Sequence, residues 1–143
     1  MHRSRVLAAV LLAGAATAGL GQNWDVERRL TNNTWFDATA GGTAHAISIS
    51  GSSIHVVYYH NKGALYGYVV YYTRSTDRGV TWSTPESISH SPFANWARTP
   101  AVAVSGSGVH VCYTDYDASG SYIYTWYTRS TDGGVTKFGE DEL

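Results

Sequence analysis

From residue 45 onward the chain reads as short apolar runs separated by turn residues, and no stretch shows the 3.6-residue apolar spacing of a helix. Residues 46–50 alternate Ile with small polar residues and predict a first strand. Gly51-Ser52-Ser53 predicts a tight turn, and 54–59 a second strand. Asn61-Lys62-Gly63 opens a loop, and 68–75 predicts a third strand. Thr76-Asp77-Arg78-Gly79 predicts an Asx-type hairpin turn, followed by a fourth strand over 80–88. The inner strands are apolar at nearly every position, which predicts cover on both sheet faces.

The same pattern then recurs. Residues 46–81 align without gaps on 101–136, an offset of 55, with 16 identities in 36 positions. Ile54-His55-Val56-Val57-Tyr58 matches Val109-His110-Val111-Cys112-Tyr113, and Tyr72-Thr73-Arg74-Ser75-Thr76-Asp77 matches Tyr127-Thr128-Arg129-Ser130-Thr131-Asp132. A repeated four-stranded unit covered on both faces describes a β-propeller blade. Residues 24–31 resemble 82–89, so 24–36 is expected to supply an orphan outer strand and a loop. Residues 44–90 then make one blade, and 99–138 a second, truncated one. Two blades do not close a ring, which takes at least four. The expectation is an all-β, partial β-propeller that belongs to a longer protein or associates with other chains. The loss of the repeat after Thr136, where Lys137 replaces the expected Trp, agrees with truncation.

The N-terminus changes the picture of location. A basic start at His2, Arg3 and Arg5 precedes a 13-residue apolar run over 6–18, too short to span a bilayer, with small residues at Ala16 and Ala18. Residues 1–21 therefore read as a signal peptide. The mature domain, 22–143, is expected outside the cytoplasm, secreted or at the cell surface or periplasm, with no membrane span. The single Cys112 excludes an internal disulfide and a cysteine metal cluster; since it replaces Val57, it reads as a small buried hydrophobe. Ten basic against eleven acidic residues leave no positive excess to neutralise nucleic-acid phosphates.

Ser75-Thr76-Asp77-Arg78-Gly79-Val80-Thr81-Trp82 fits the pattern S-x-D-x-G-x-T-W, and Ser130-Thr131-Asp132-Gly133-Gly134-Val135-Thr136 fits it up to the Trp. This resembles the Asp-box, or bacterial neuraminidase repeat, of the sialidase superfamily of six-bladed propellers. The resemblance covers nearly all of the exported chain. It implies an exo-α-sialidase-type glycoside hydrolase that removes terminal sialic acids from glycans, here a fragment without its full catalytic set. The alternative is a non-catalytic propeller that binds glycans or proteins. Within the box, Ser75, Asp77, Gly79, Thr81 and Trp82, with Ser130, Asp132, Gly134 and Thr136, are expected to be structural. The carboxylate accepts backbone N–H groups of its own turn, Gly relieves a positive φ, and Trp82 packs under the hairpin.

The resemblance also implies an Arg triad for the substrate carboxylate, a Tyr–Glu nucleophile and an Asp acid/base. Arg98-Thr99-Pro100 is the nearest match to the family's R-I-P, which makes Arg98 the substrate-binding candidate. Asp37, in the Trp35-Phe36-Asp37 loop, is the acid/base candidate. None of Glu27, Glu86, Glu140 and Glu142 lies beside a Tyr in a recognisable motif. Arg74 and Arg129 share a repeat position and read as structural. Asp115, Asp117 and Ser119 open like a calcium loop, but Trp126 stands where the bidentate Glu belongs, so a polar hairpin loop is the plainer reading. No metal site and no organic cofactor are expected. Trp35, Phe36, Phe93 and Trp96 read equally as platforms for sugar rings or as caps on the blade core.

Overall fold

The computed structural model describes residues 27–31, 37–39, 45–62, 67–89, 96–116, 119, 121–136 and 140–142. Among these the protein is all-β and wholly antiparallel within its sheets. The first sheet contains β1 (Asp37–Ala38), β2 (Ile47–Ser50), β3 (Ser53–Asn61), β4 (Tyr68–Ser75) and β5 (Glu86–Ser87). The second contains β6 (Arg98–Ser105), β7 (Gly108–Tyr116), β8 (Ile123–Ser130) and β9 (Glu140–Glu142). β-Branched and aromatic residues fill β3, β4, β7 and β8, and Gly51 and Gly106, at φ 61° and 59°, turn the first hairpin of each sheet. No described helix is long and apolar enough to cross a membrane.

The two sheets share one register. Tyr72 pairs with Val57 and Glu86; one repeat later, Tyr127 pairs with Cys112 and Asp141. β9 thus supplies the second sheet with its fourth strand beyond 138, although the sequence match ends at Thr136. The fourth strand of the first sheet is shorter than expected. The backbone of Ser83 bonds to Arg74 and that of Glu86 to Tyr72, so one residue is extra there, and Pro85, which has no N–H to give, lies in that bulge. Residues 27–31 are irregular rather than strand; the remainder of the orphan strand expected over 24–36 lies outside the described residues, except Asp37–Ala38 beyond it, which form β1. The proposed signal peptide, 1–21, also lies outside them.

The sheets stack on each other. Each has a back face, containing His55, Val57 and Tyr72 in the first sheet, and a front face, containing Val102, Val111 and Tyr113 in the second. One core joins the back of the first sheet (Val57, Val70, Tyr72, Ile88) to the front of the second (Val102, Val109, Val111, Tyr113). Val57, Val70, Val109 and Val111 are wholly buried, each worth about 1.5–3 kcal/mol relative to exposure. The stack is locked at one end: Arg74 Nη1 donates to the Gly133 carbonyl at 3.1 Å, and Tyr72 Oη sits where a Cβ on Gly134 would stand.

Cover on both faces holds for the first sheet only. On the back of the second, Cys112 is exposed while its repeat counterpart Val57 is fully buried. The sequence analysis expected a buried Cys112; its counterpart Val57 is buried because the second sheet packs over it, and no described residue packs over Cys112 in that way.

Candidate functional site

The two Ser-x-Asp-x-Gly-x-Thr turns carry the same set of hydrogen bonds. Asp77 accepts from the Thr81 amide at 2.8 and 3.0 Å, from Thr81 Oγ1 and from Ser75 Oγ at 2.7 Å. Ser75 Oγ in turn accepts from the Gly79 amide at 2.8 Å. Asp132 repeats this with the Thr136 amide at 3.1 Å, Thr136 Oγ1 at 2.7 Å and Ser130 Oγ at 2.6 Å, and Ser130 Oγ accepts from Gly134. Gly79 and Gly134 hold φ of 89° and 80°. Trp82 Nε1 donates to the Gly79 carbonyl at 3.0 Å and covers the turn. Each turn is tied to the first hairpin of its own sheet, Arg78 N to the Ser52 carbonyl and Gly133 N to that of Ser107.

These bonds favour the ionised carboxylate. The Thr81 hydroxyl and amide, then Ser75, pull Asp77 down to about 2 from an ordinary 3.8, and Ser130 and Thr136 hold Asp132 low as well. A depressed carboxylate stabilises the fold above its unfolded pKa, and that contribution is lost as pH falls through the folded value. Thermal stability should therefore drop between pH 4 and pH 2, and Asp77→Asn should flatten that limb in a melting-temperature series against pH. An unchanged slope in the variant would remove the box carboxylates as its cause. The turns differ in one respect: Arg78 occupies φ 60° where the second box has Gly133 at 73°. Arg78→Gly should stabilise the protein by roughly 0.5–1 kcal/mol in urea unfolding, by relieving a left-handed non-glycine residue.

Both boxes sit at one end of the strands. The remaining candidates sit at the other, about 25 Å away along β3 at roughly 3.3 Å per residue. Asp37 in β1 pairs with His60 at the end of β3, and its Oδ1 lies 2.6 Å from His60 Nδ1, both side chains being nearly buried. Tyr71 meets the His60 ring edge-on and stacks on Tyr58, whose hydroxyl is pushed up to about 12, mainly by burial and then by Asp37 and Tyr71.

Arg98 begins β6 three residues before Ala101, the repeat counterpart of the strand start expected at residue 46. It pairs with Thr114, and the register then slips by one residue before Ala101. Thr99 takes φ 48° in this bulge, a strained choice for a β-branched residue. The slip aims the Arg98 guanidinium over the rings of Tyr68, at 4.0 Å, and Trp96, at 4.9 Å. Cation–π stacking holds it there. Arg98 Nε is buried without a hydrogen-bond partner. A buried guanidinium donor left open, with aromatic walls, is chemistry suited to an oxyanion on a ring-shaped ligand.

Asp37 and Arg98 are related in place but not brought together. Ala38 meets Tyr59 as Arg98 meets Thr114, one repeat apart, so both candidates stand where the innermost strand of their sheet begins. Asp37 faces the front of the first sheet with His60, whereas Arg98 stacks on Tyr68, on its back. The cross-strand neighbours Tyr72 and Glu86 form no nucleophile pair. Tyr72 is buried, bonds to His55 Nδ1 at 2.7 Å, and burial pushes its hydroxyl up to about 12. Burial, and then Arg74, push His55 down. His110 and Tyr127 repeat that bond at 2.7 Å.

Asp115 does not face a loop ligand. It is fully buried, and its Oδ1 accepts from the Trp96 amide at 3.3 Å and the Tyr116 amide at 2.8 Å; Asp117 lies outside the described residues. Among the described residues no three His, Cys, Asp or Glu side chains gather as a metal site. Trp35, Phe36 and Phe93 also lie outside them, while Trp96 is half exposed beside Arg98. Sequence reasoning missed His60 and Tyr68. One signal was present for His60: it shares its repeat position with Asp115, a polar residue inside an apolar strand in both copies. In comparisons with known proteins, the chain matches no family model and no curated protein sequence.

Proposed function

We propose that this chain forms part of an exported, sialidase-type Asp-box β-propeller, and that its share of the site is recognition of the carboxylate of a terminal sialic acid by Arg98. The observation that carries this reading is the Asp-box itself. Two boxes with the same hydrogen bonds stand at the same point of two stacked sheets in one register. Supporting it, Arg98 lies at the opposite end, where innermost strands begin, stacked on Tyr68 and Trp96 with an open buried donor. In this reading Arg98 holds the carboxylate, Trp96 offers a ring to the sugar, and Asp37, oriented by His60, is the acid/base.

A second reading, a non-catalytic glycan- or protein-binding propeller, is favoured by one observation. Asp37 and Arg98 address opposite faces of the first sheet, so these residues alone do not close on one substrate. Saturation-transfer NMR with an α-sialoside on this chain, together with hydrolysis of a fluorogenic sialoside from pH 4 to 8 by the full-length protein, tests both. Turnover identifies a hydrolase, and binding without turnover identifies a lectin-like module. Absence of both sinks the sialic-acid reading.

A further inference from the structure

The guanidinium of Arg98 is aimed by two rings, and one of them stands outside the strand ladders. Arg98 stacks on Tyr68 and Trp96, and its buried Nε has no hydrogen-bond partner among the described residues, so the rings set its direction. Tyr68 is fixed by its sheet: it pairs with Asn61 in β3, and its ring meets that of Tyr59 edge-on at 5.6 Å. Trp96 lies outside the named strands and is 45% exposed. Its ring meets Tyr68 at 5.4 Å and Tyr116, edge-on, at 6.4 Å. On the side of the first sheet its backbone is held by the next residue, as the Ala97 amide donates to the Tyr68 carbonyl at 3.0 Å. On the side of the second sheet it is held by Asp115.

Asp115 is fully buried, and one of its oxygens, Oδ1, accepts from the amides of both Trp96, at 3.3 Å, and Tyr116, at 2.8 Å. A single atom thus fixes the backbones of two residues whose rings touch. The Tyr116 bond is local, whereas the Trp96 bond spans 19 residues and reaches the Arg98 site. Burying a carboxyl group is costly, and it is tolerated where its oxygens are hydrogen-bonded. The first sheet uses the same repeat position in a like way. His60, the counterpart of Asp115, is also buried, and its Nδ1 lies 2.6 Å from Asp37 Oδ1. In each sheet the polar residue at this point holds a segment at the end of the strands opposite the box turns: Asp37 in β1, and Trp96 just ahead of β6.

We infer that Asp115 is a positioning residue: by holding the Trp96 amide it fixes the Trp96 ring, and through that ring it aims the Arg98 guanidinium at an incoming oxyanion. Asp115 is buried and touches no ligand itself; it acts through Trp96. The Arg98 backbone is held separately. The Thr114 hydroxyl donates to the Arg98 carbonyl at 3.3 Å and pairs with the Thr99 hydroxyl at 2.8 Å, beside the left-handed Thr99. Loss of Asp115 therefore turns the side chain without unpairing the strand. That the oxyanion is the sialic acid carboxylate rests on the function proposed above; that Asp115 sets the direction of Arg98 does not.

NMR on the full chain tests this first without a ligand. In the wild type the Trp96 amide should be protected from solvent exchange, and the Arg98 δ-protons should be shifted upfield by the two rings. In Asp115→Ala the Trp96 amide should exchange about tenfold faster or more, and the Arg98 δ-protons should return toward their unshifted positions, while the amides of Val57 and Val111 stay protected. Asp115→Asn, which keeps an oxygen acceptor of the same shape, should restore both signals. In a titration with an α-sialoside, Asp115→Ala should bind about tenfold to a hundredfold more weakly, and Asp115→Asn close to the wild type. A folded Asp115→Ala with unmoved Arg98 δ-protons overturns the inference. Where that variant does not fold, the wild type decides: a Trp96 amide that exchanges as fast as a solvent-exposed one overturns it as well. Arg98 signals that move as described, in a chain whose wild type binds no sialoside, uphold the role of Asp115 and count against the sialic acid reading alone.

Discussion

Gly134→Ala should cost roughly 3 kcal/mol in urea unfolding, the sum of a left-handed backbone penalty of about 1 and an overpacking cost of about 1–3. The glycine holds φ 80°, and an added Cβ runs into the Tyr72 hydroxyl and ring. Tyr72 has little room to yield. It is buried in the shared core and bonded to His55 at 2.7 Å. The built-in control is Gly106→Ala. That glycine holds φ 59°, but an added Cβ meets nothing within 4 Å. It should cost only the backbone penalty, about 1 kcal/mol. The difference between the two variants measures how firmly the second box turn seats on the first sheet. Equal costs would mean that the seat does not exist.

Arg98→Ala should abolish measurable sialoside binding, a loss of at least tenfold to a hundredfold, because a charge-assisted fork to a carboxylate is worth about 1.5–3 kcal/mol. Arg98→Lys should recover little, since an ammonium neither stacks flat on Tyr68 nor offers two parallel donors. The fold should survive both changes. The guanidinium makes no hydrogen bond to a described residue, and its structural contribution is the ring stacking alone. Titration by NMR against wild type, with the melting temperature alongside, separates lost recognition from lost structure. Unchanged sialoside affinity in Arg98→Ala would remove Arg98 from the site and leave the glycan reading without its anchor.

The repeat made much of the fold legible. An offset of 55 forces two units of the same register, and strand pairing repeats from His55–Arg74 to His110–Arg129. The box chemistry was legible too, because Ser, Asp, Gly and Thr at fixed spacing have few ways to satisfy one tight turn. Other features depended on distant partners. Cys112 looked interior because its counterpart Val57 is apolar, but the residue's own strand does not say whether another sheet covers it. β9 escaped notice because a short outer strand needs only backbone hydrogen bonds, and Glu140–Glu142 have no apolar signature. The position of Arg98 hinges on a one-residue slip at Thr99, which no residue pattern announces. The partners of Asp37 and Arg98, His60 and Tyr68, are 23 and 30 residues away in the chain, where local spacing carries no information.

The central claim is that two like sheets stack back to front, the second box turn resting on the first sheet. A nuclear Overhauser experiment on the folded chain reads this at one point. Cross-peaks from the Tyr72 ring protons to the Gly134 α-protons, with those α-protons displaced by the ring current, are the predicted result. A folded protein in which the Tyr72 ring shows contacts within its own sheet and none to Gly134 would contradict the stacking, and with it the propeller reading built on it.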